Sequence, residues 1–336
     1  LAMLVYTSGT TGPPKGVMLT HNNIYKTIES VADALPNEPD DLGIVFLPLA
    51  HSLQRVASYA GIYTGGTGVF AERLDKIIDH MQSFHPTVQA SVPRIYEKVH
   101  AKIMGRLEEA SPVKQKIFHW AIRVGLEWRR RKRENQTIPV SLHAQHALAD
   151  KLVLSKLRGI FGGNIRYMIS GAAPISIELL EFFHACGILI LEGYGLTETS
   201  PVVSCNPIHK IKVETVGPPF KGNEVKIAED GEILVKGENV MIGYWNKKEE
   251  TENIIKDGWL YTGDIGEIDS VDGYLKITDR KKDIIVSAGG DNISPAKIEN
   301  ILSNSQSIEQ CIVYGDNKNY LVALVVPAKE FRGNKE

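Results

Sequence analysis

Between Val5 and Val17 the chain reads "VYTSGTTGPPKGV", a run of hydroxyls, glycines and prolines with one lysine. A loop of that kind, following the apolar "LAMLV", is a candidate for holding phosphate. Glycines let backbone N–H groups approach an anion closely, and Lys15 adds a point charge. The spacing is not that of the Walker loop, GxxxxGK[ST]. From Gly9 the next glycine is Gly12, and Lys15 is preceded by Pro14 and followed by Gly16. Two prolines before the lysine also prevent a helix from starting in the Walker manner. On composition alone, a flexible surface loop is the competing reading.

The wording "TSGTTGPPKG" is more specific than its composition. "YTSGTTGPPKGV" resembles the phosphate-binding loop of the adenylate-forming (acyl-adenylate) superfamily of acyl-CoA synthetases, luciferases and peptide-synthetase adenylation domains. The resemblance implies that Thr7, Ser8, Gly9, Thr10, Thr11 and Lys15 cradle the β- and γ-phosphates of ATP, in a loop that closes on ATP and releases pyrophosphate. "EGYGLTET", 192–199, resembles the second signature of that superfamily. There Tyr194 would offer an aromatic face to adenine, and Gly193 and Gly195 a tight backbone. Thr197 would hydrogen-bond the α-phosphate and Glu198 would be a hard oxygen ligand for Mg²⁺. A strand-to-helix turn capped by Thr197 is the alternative. "SGAAP", 170–174, resembles the segment whose backbone, at Gly171 and Ala172, lines the adenine pocket, although an ordinary βα turn reads the same. In "YTGDIGEID" the resemblance assigns Asp264 to the ribose hydroxyls, and in "TDRKKDI" it assigns Arg280 to aligning the nucleotide. "FLPLAHSLQR", 46–55, resembles a strand end whose histidine, here His51, lies near the carboxylate of the acid substrate. A core or capping histidine is the plainer reading of that residue.

Three features resemble the long-chain branch: "SVPRIYEKV" at 91–99, the long signature over 257–295, and the glycine pair Gly289–Gly290 in "SAGGDNI". A slot free of side chains suits pantetheine near a thiol tunnel, while a simple loop turn also explains two glycines. The implied chemistry has two steps, fatty acid plus MgATP giving acyl-AMP and pyrophosphate, then coenzyme A giving acyl-CoA and AMP. Between the steps a C-terminal lid would rotate about "DRKKD", with Lys282 at the hinge. Two other functions stay open: adenylation of another acid, as in short-acid ligases or peptide synthetases, and a non-catalytic ATP- or AMP-binding module. Few residues precede Thr7, and neither Lys329 nor Lys335 sits in the late C-terminal motif that carries the superfamily's catalytic lysine. The expectation is therefore a fragment of a longer synthetase, with its own adenylating competence in doubt.

The elements that must position these residues follow from patterning. Up to about Leu191, short apolar runs alternate with amphipathic segments, which reads as βαβ units and a mostly parallel sheet flanked by helices. Residues 112–161 read as helical and charged. From 213 to 278 short strands with the turns "EDGE", "DGW" and "VDGY" predict a β-rich subdomain, and a βαββ-like tail follows. The expected fold class is α/β, with an AMP-binding domain over 1–278 and a partial α+β lid domain over 279–336. The 336 residues suit two domains, and 43% hydrophobic residues suffice for their cores. The net charge of −2 argues against nucleic acid as a partner. Three scattered cysteines form no metal or disulfide pattern, which points to a reducing, cytoplasmic setting. The basic run "RVGLEWRRRKRE", 123–134, resembles a membrane-surface helix, with a solvated helix face as the simpler reading. Oligomeric state is not legible.

Overall fold

The computed structural model describes residues 1–7, 13–289, 292–303, 305, 307–316, 318–328 and 331. The chain opens with a hairpin: β1 (Met3–Thr7) pairs antiparallel with β2 (Lys15–Leu19), and Thr7 stands opposite Lys15. Helix α1 (His21–Ala34) begins at a reciprocal cap. Thr20 Oγ1 accepts the Asn23 N–H at 3.1 Å, and Asn23 Oδ1 accepts the Thr20 N–H at 2.8 Å. Its buried Ile24, Ile28 and Val31 recur at helical spacing, which fixes the face it turns inward.

Next come β3 (Leu42–Val45), α2 (Ser52–Thr64), β4 (Thr67–Phe70), α3 (Ile77–Phe84), β5 (Val88–Ser91) and α4 (Pro93–Glu108). The charged segment then forms α5 (Pro112–Arg133), α6 (Val140–Ala149) and α7 (Ser155–Gly159), as its composition led one to expect. Strand β6 (Tyr167–Ser170), helix α8 (Ile177–Ala185), β7 (Ile190–Tyr194) and β8 (Ser204–Cys205) complete this part.

The expected mostly parallel sheet is divided. Strands β3 and β4 form one parallel pair; β5, β6 and β7 form a second parallel sheet, to which β8 adds antiparallel. The reason is local. Between β3 and β5 one main-chain bond remains, from the Thr87 N–H to the Leu42 carbonyl at 2.9 Å, and side chains make the rest. The Gln89 amide accepts the Ile44 N–H at 2.9 Å and donates to the Ile44 carbonyl at 2.8 Å. Thr87 Oγ1 likewise accepts the Leu42 N–H at 3.0 Å. Below the strands lies the main core, built around the fully buried Met81, Tyr96, Phe161, Phe183 and Ile190. Helix α5 crosses α8 so closely that a Cβ on Gly125 would lie 2.3 Å from the Ala185 carbonyl oxygen.

The β-rich part is antiparallel throughout. It contains β9 (Asn223–Ile227), β10 (Glu232–Gly237), β11 (Gly243–Tyr244), α9 (Lys248–Ile254), β12 (Ile255–Lys256), β13 (Trp259–Ile268) and β14 (Leu275–Arg280). Five of its strands make one sheet, ordered β12–β13–β10–β9 with β14 on β13. Strand β11 instead leaves to join the opening hairpin beside β2. The tail has one element more than expected. A two-stranded ribbon, β15 (Ile285–Val286) and β16 (Asn292–Ile293), precedes α10 (Pro295–Ser303) and the antiparallel pair β17 (Ile308–Tyr314) and β18 (Val322–Pro327).

Candidate functional site

Where β7 ends, the opening hairpin and the β13–β14 edge face a single cleft of about 920 Å³. It brings together Thr7, Lys15, His51, Gly171, Ala172, Gly193, Tyr194, Gly195, Thr197, Glu198, Asp264, Arg280 and Lys282. Ser8, Gly9, Thr10, Thr11 and Gly290 lie outside the described residues. Gly289 does not line this cleft; it follows β15 in a turn and donates its N–H to Ser287 Oγ at 3.2 Å.

On one wall, Asp264 is nearly sealed, at 5% exposure. Its Oδ2 accepts the Tyr194 hydroxyl at 2.7 Å, and its Oδ1 accepts Arg280 Nε at 3.2 Å. The sixteen-residue separation of Asp264 and Arg280 has a plain origin: the two are cross-strand partners in the β13–β14 register. Burial pushes the Asp264 carboxyl above its ordinary value, against the opposing pull of Tyr194 and Arg280. A dehydrated carboxylate held by two donors is a preformed acceptor for further hydroxyls. Tyr194, expected only to offer its ring, thus also orients this carboxylate.

Behind this wall stands Lys281, which sequence reasoning missed. Its ammonium reaches Asp230 at 2.6 Å and Glu232 at 2.8 Å, while its N–H donates to the Gly263 carbonyl at 2.8 Å. Glu232 in turn accepts the Gly263 N–H at 2.8 Å. These carboxylates, Asp230 first, raise the Lys281 ammonium pKa well above that of a free lysine. Lys282, one residue on, is exposed in the turn after β14.

On the other wall the motif "GYGLTET" makes a sharp exit from β7. A Cβ on Gly195 would fall 1.7 Å from the Pro201 carbonyl oxygen, so only glycine fits there. The short turn Thr197–Thr199 is capped by Thr199, whose Oγ1 accepts the Leu196 N–H at 2.9 Å. The cap anticipated for Thr197 therefore belongs to Thr199, and the Thr197 hydroxyl has no hydrogen bond among the described residues. Glu198 Oε1 accepts the Tyr244 hydroxyl at 2.7 Å, and its own carbonyl accepts the Met241 N–H at 2.8 Å. The Tyr244 ring lies under Lys15, whose Nζ is 5.0 Å from the ring centroid. Burial, and then the Glu198 charge, raise the phenol pKa far above its usual value, so it stays a donor. Tyr244 was also missed, since it sits 46 residues from its partner.

Around these walls, Ala172 is held at φ 68, a left-handed conformation that costs about 1–2 kcal/mol for an L-residue. His51 occupies the N-cap position of α2 without making a side-chain cap. The carboxyl of Glu192, the first residue of the motif, has no hydrogen-bond partner among the described residues, and burial pushes it up to about 7. Among the described residues no three His, Cys, Asp or Glu side chains cluster as a metal cage. A lone carboxylate such as Glu198 suits Mg²⁺, which keeps several waters and takes phosphate oxygens as further ligands.

Outside the cleft, two cations of the basic run are paired within their own helix. Arg130 and Arg131 pair with Glu127, at 3.0 and 2.6 Å. Trp128 stacks on His146 with ring centroids 4.4 Å apart. Among the described residues, no helix is long and apolar enough to cross a membrane.

Comparison with known proteins joins these observations. The family described as AMP-binding enzyme matches residues 1–245, and the AMP-binding enzyme C-terminal domain matches 282–336. Long-chain-fatty-acid–CoA ligase FadD15 of Mycobacterium bovis is 40% identical over all of this chain, which spans 56% of that protein. Long chain acyl-CoA synthetase 7, peroxisomal, of Arabidopsis thaliana is 36% identical over 97% of this chain, which spans 47% of it. Among solved structures, ATP-bound MatB from Rhodopseudomonas palustris superposes with a TM-score of 0.72 at 29% identity, covering 98% of this chain and 59% of MatB. The o-succinylbenzoate CoA synthetase MenE of Bacillus subtilis, in complex with its acyl-adenylate intermediate, gives 0.72 at 27% identity, covering 97% and 59%. With two walls suited to a ribose and to a metal-bound phosphate, and with matches along nearly its whole length, this chain belongs to the AMP-binding enzyme family.

Proposed function

We propose that the protein to which this chain contributes activates a long-chain fatty acid with ATP and transfers it to coenzyme A. The observation that carries the reading is the pairing, in one cleft, of a dehydrated Asp264 with a separately held Glu198. The relatives named as long-chain ligases supply the substrate class. In the first step an acid carboxylate oxygen attacks the α-phosphorus of ATP and pyrophosphate leaves, giving acyl-AMP. In the second, the coenzyme A sulfur attacks the acyl carbon and AMP leaves. Positioning and charge stabilisation dominate such chemistry.

In this reading Asp264 and Arg280 hold the ribose, and Gly171, Ala172, Gly193, Tyr194 and Gly195 surround adenine. Thr197 takes the α-phosphate. Thr7, Ser8, Gly9, Thr10, Thr11 and Lys15 take the β- and γ-phosphates. Glu198 would hold Mg²⁺, whose charge offsets that of the phosphates. His51 orients the acid carboxylate. The domains are 1–278 and 279–336, hinged over 279–282 at Lys282, and Gly289–Gly290 borders the coenzyme A path once the lid turns.

The test is acid-dependent pyrophosphate exchange and acyl-CoA formation by the full-length gene product, across fatty acids of increasing chain length. Exchange only with short or aromatic acids would overturn the long-chain assignment. Nucleotide binding with no exchange for any acid would favour the non-catalytic module. Peripheral membrane contact through 123–134 draws less support, because Arg130 and Arg131 are committed to Glu127 and Trp128 to His146. Salt-sensitive vesicle binding lost on replacing residues 129–131 and 133 with Gln would reinstate it.

A further inference from the structure

Lys15 and Glu198 are the two charges on the phosphate wall, and each touches the same side chain. The Lys15 ammonium lies over the Tyr244 ring, and Glu198 Oε1 accepts the Tyr244 hydroxyl at 2.7 Å. Neither charge has an ion-pair partner among the described residues. Both line one cleft, and each is met by a neutral face or hydroxyl of one side chain in place of an opposite charge. The segment bearing Tyr244 is fixed on both sides. The Met241 N–H holds the Glu198 carbonyl at 2.8 Å, and the Trp245 N–H holds the Gly16 carbonyl at 2.8 Å, next to Lys15. The Tyr244 N–H is held by Thr251 Oγ1 at 2.9 Å. The ring is therefore pinned between the hairpin and the Glu198 turn, at only 7% exposure.

We propose that Tyr244 is a positioning residue that keeps Lys15 and Glu198 apart, so that the first remains free for phosphate and the second for the divalent cation. The ring face satisfies the ammonium and the hydroxyl satisfies one carboxylate oxygen. Neither contact neutralises the charge it meets, so an incoming ligand of opposite charge still finds both charges in place. Glu198 Oε2 takes no hydrogen bond among the described residues and is left as the cation's oxygen. Without the ring, Lys15 and Glu198 would neutralise each other, and the wall would lose its affinity for both partners.

The proposal rests on the nucleotide reading of the cleft, and the test separates the two. Calorimetric titrations of this chain use AMP in EDTA, ATP over a series of MgCl₂ concentrations, and inorganic pyrophosphate in EDTA. Tyr244→Phe keeps the ring and loses the hydroxyl. It should leave AMP affinity unchanged and raise the Mg²⁺ concentration for half-maximal ATP binding by about tenfold. Tyr244→Leu removes the spacer and should weaken pyrophosphate binding about fivefold, the scale of one exposed ion pair. Adding Glu198→Gln to Tyr244→Leu should restore pyrophosphate binding, because Lys15 then no longer has the Glu198 carboxylate to pair with. A purely structural role for Tyr244 predicts no such restoration. An unaltered Mg²⁺ requirement in Tyr244→Phe, or a double variant no better than Tyr244→Leu, overturns the proposal. A wild-type chain that binds neither AMP nor ATP overturns the nucleotide reading and the proposal with it.

Discussion

The cleft contains the same pair of groups twice, a carboxylate and a tyrosine phenol at 2.7 Å, in two different settings. On the β13–β14 wall Asp264 is sealed, held by Tyr194 and Arg280, and raised in pKa by burial. On the hairpin wall Glu198 is only partly buried, and among the described residues its carboxylate has the phenol alone. The contrast teaches how one chemical pair is turned to two purposes. A carboxylate stripped of water and held by several donors is ready to accept hydroxyls at fixed positions. One left partly wet, with an oxygen to spare, can exchange its water for a hydrated cation. Glu192, beside Gly193, extends the series to a carboxyl that desolvation pushes up to about 7 and that has no hydrogen-bond partner among the described residues.

The largest expected effect tests the sealed wall. Asp264→Asn should weaken AMP binding on the order of 100-fold, since hydrogen bonds to a charged group are lost. It should not lower Tm, because the buried charge it removes was itself unfavourable. AMP affinity of the wild type should also fall on acidification at a higher pH than an unperturbed aspartate would dictate, as the raised carboxyl takes up its proton. Unchanged AMP affinity in the variant would end the distinction between the walls.

Glu192→Gln comes next. The folded carboxyl titrates at about 7 against an ordinary 4.5, so its ionisation is disfavoured by folding. Stability is therefore undiminished below the ordinary value, falls as pH rises from there to about 7, and stays reduced above. The Gln variant should be more stable by about 2 kcal/mol in urea melts near pH 8, with the gain gone near pH 4. A gain independent of pH would mean packing and not charge. Glu198→Gln should be milder in binding, weakening MgATP about tenfold while sparing AMP in EDTA. Equal losses for both nucleotides would show that the hairpin wall also serves the nucleoside. Lys281→Ala should lower stability least, by about 1 kcal/mol, because the lysine is half exposed and Glu232 keeps its Gly263 N–H. A thermal melt reads it, and a larger loss would mark Lys281 as a principal brace of the Asp264 wall.

Thr7, Lys15 and the run 193–198 could be singled out in advance because they sit in short, position-specific words, "TSGTTGPPKG" and "EGYGLTET", and the structure brings them to one cleft. The β-rich part was legible through its Asp-Gly turns, which favour hairpins when strand-like residues flank them. Tyr244 and Lys281 were not, because their meaning depends on partners 46 and 49–51 residues away. No local pattern encodes that a strand should leave its own sheet to join the opening hairpin, as β11 does. The second strand of the ribbon before α10, β16, escaped notice because it has only two residues, too few to show a period.

The seam between β3 and β5 has a consequence of another kind. A peptide ladder is indifferent to sequence, since nearly every residue carries the same N–H and C=O, and it survives almost any substitution. Gln89 makes its part of the seam with a side-chain amide, and that amide is specified by a single codon. Even a change to Glu replaces the donor to the Ile44 carbonyl with a second acceptor. That part of the union between the two parallel sheets is thus inherited as an individual letter, and a lineage could lose it in one mutational step, while the bond from the Thr87 N–H to the Leu42 carbonyl would remain.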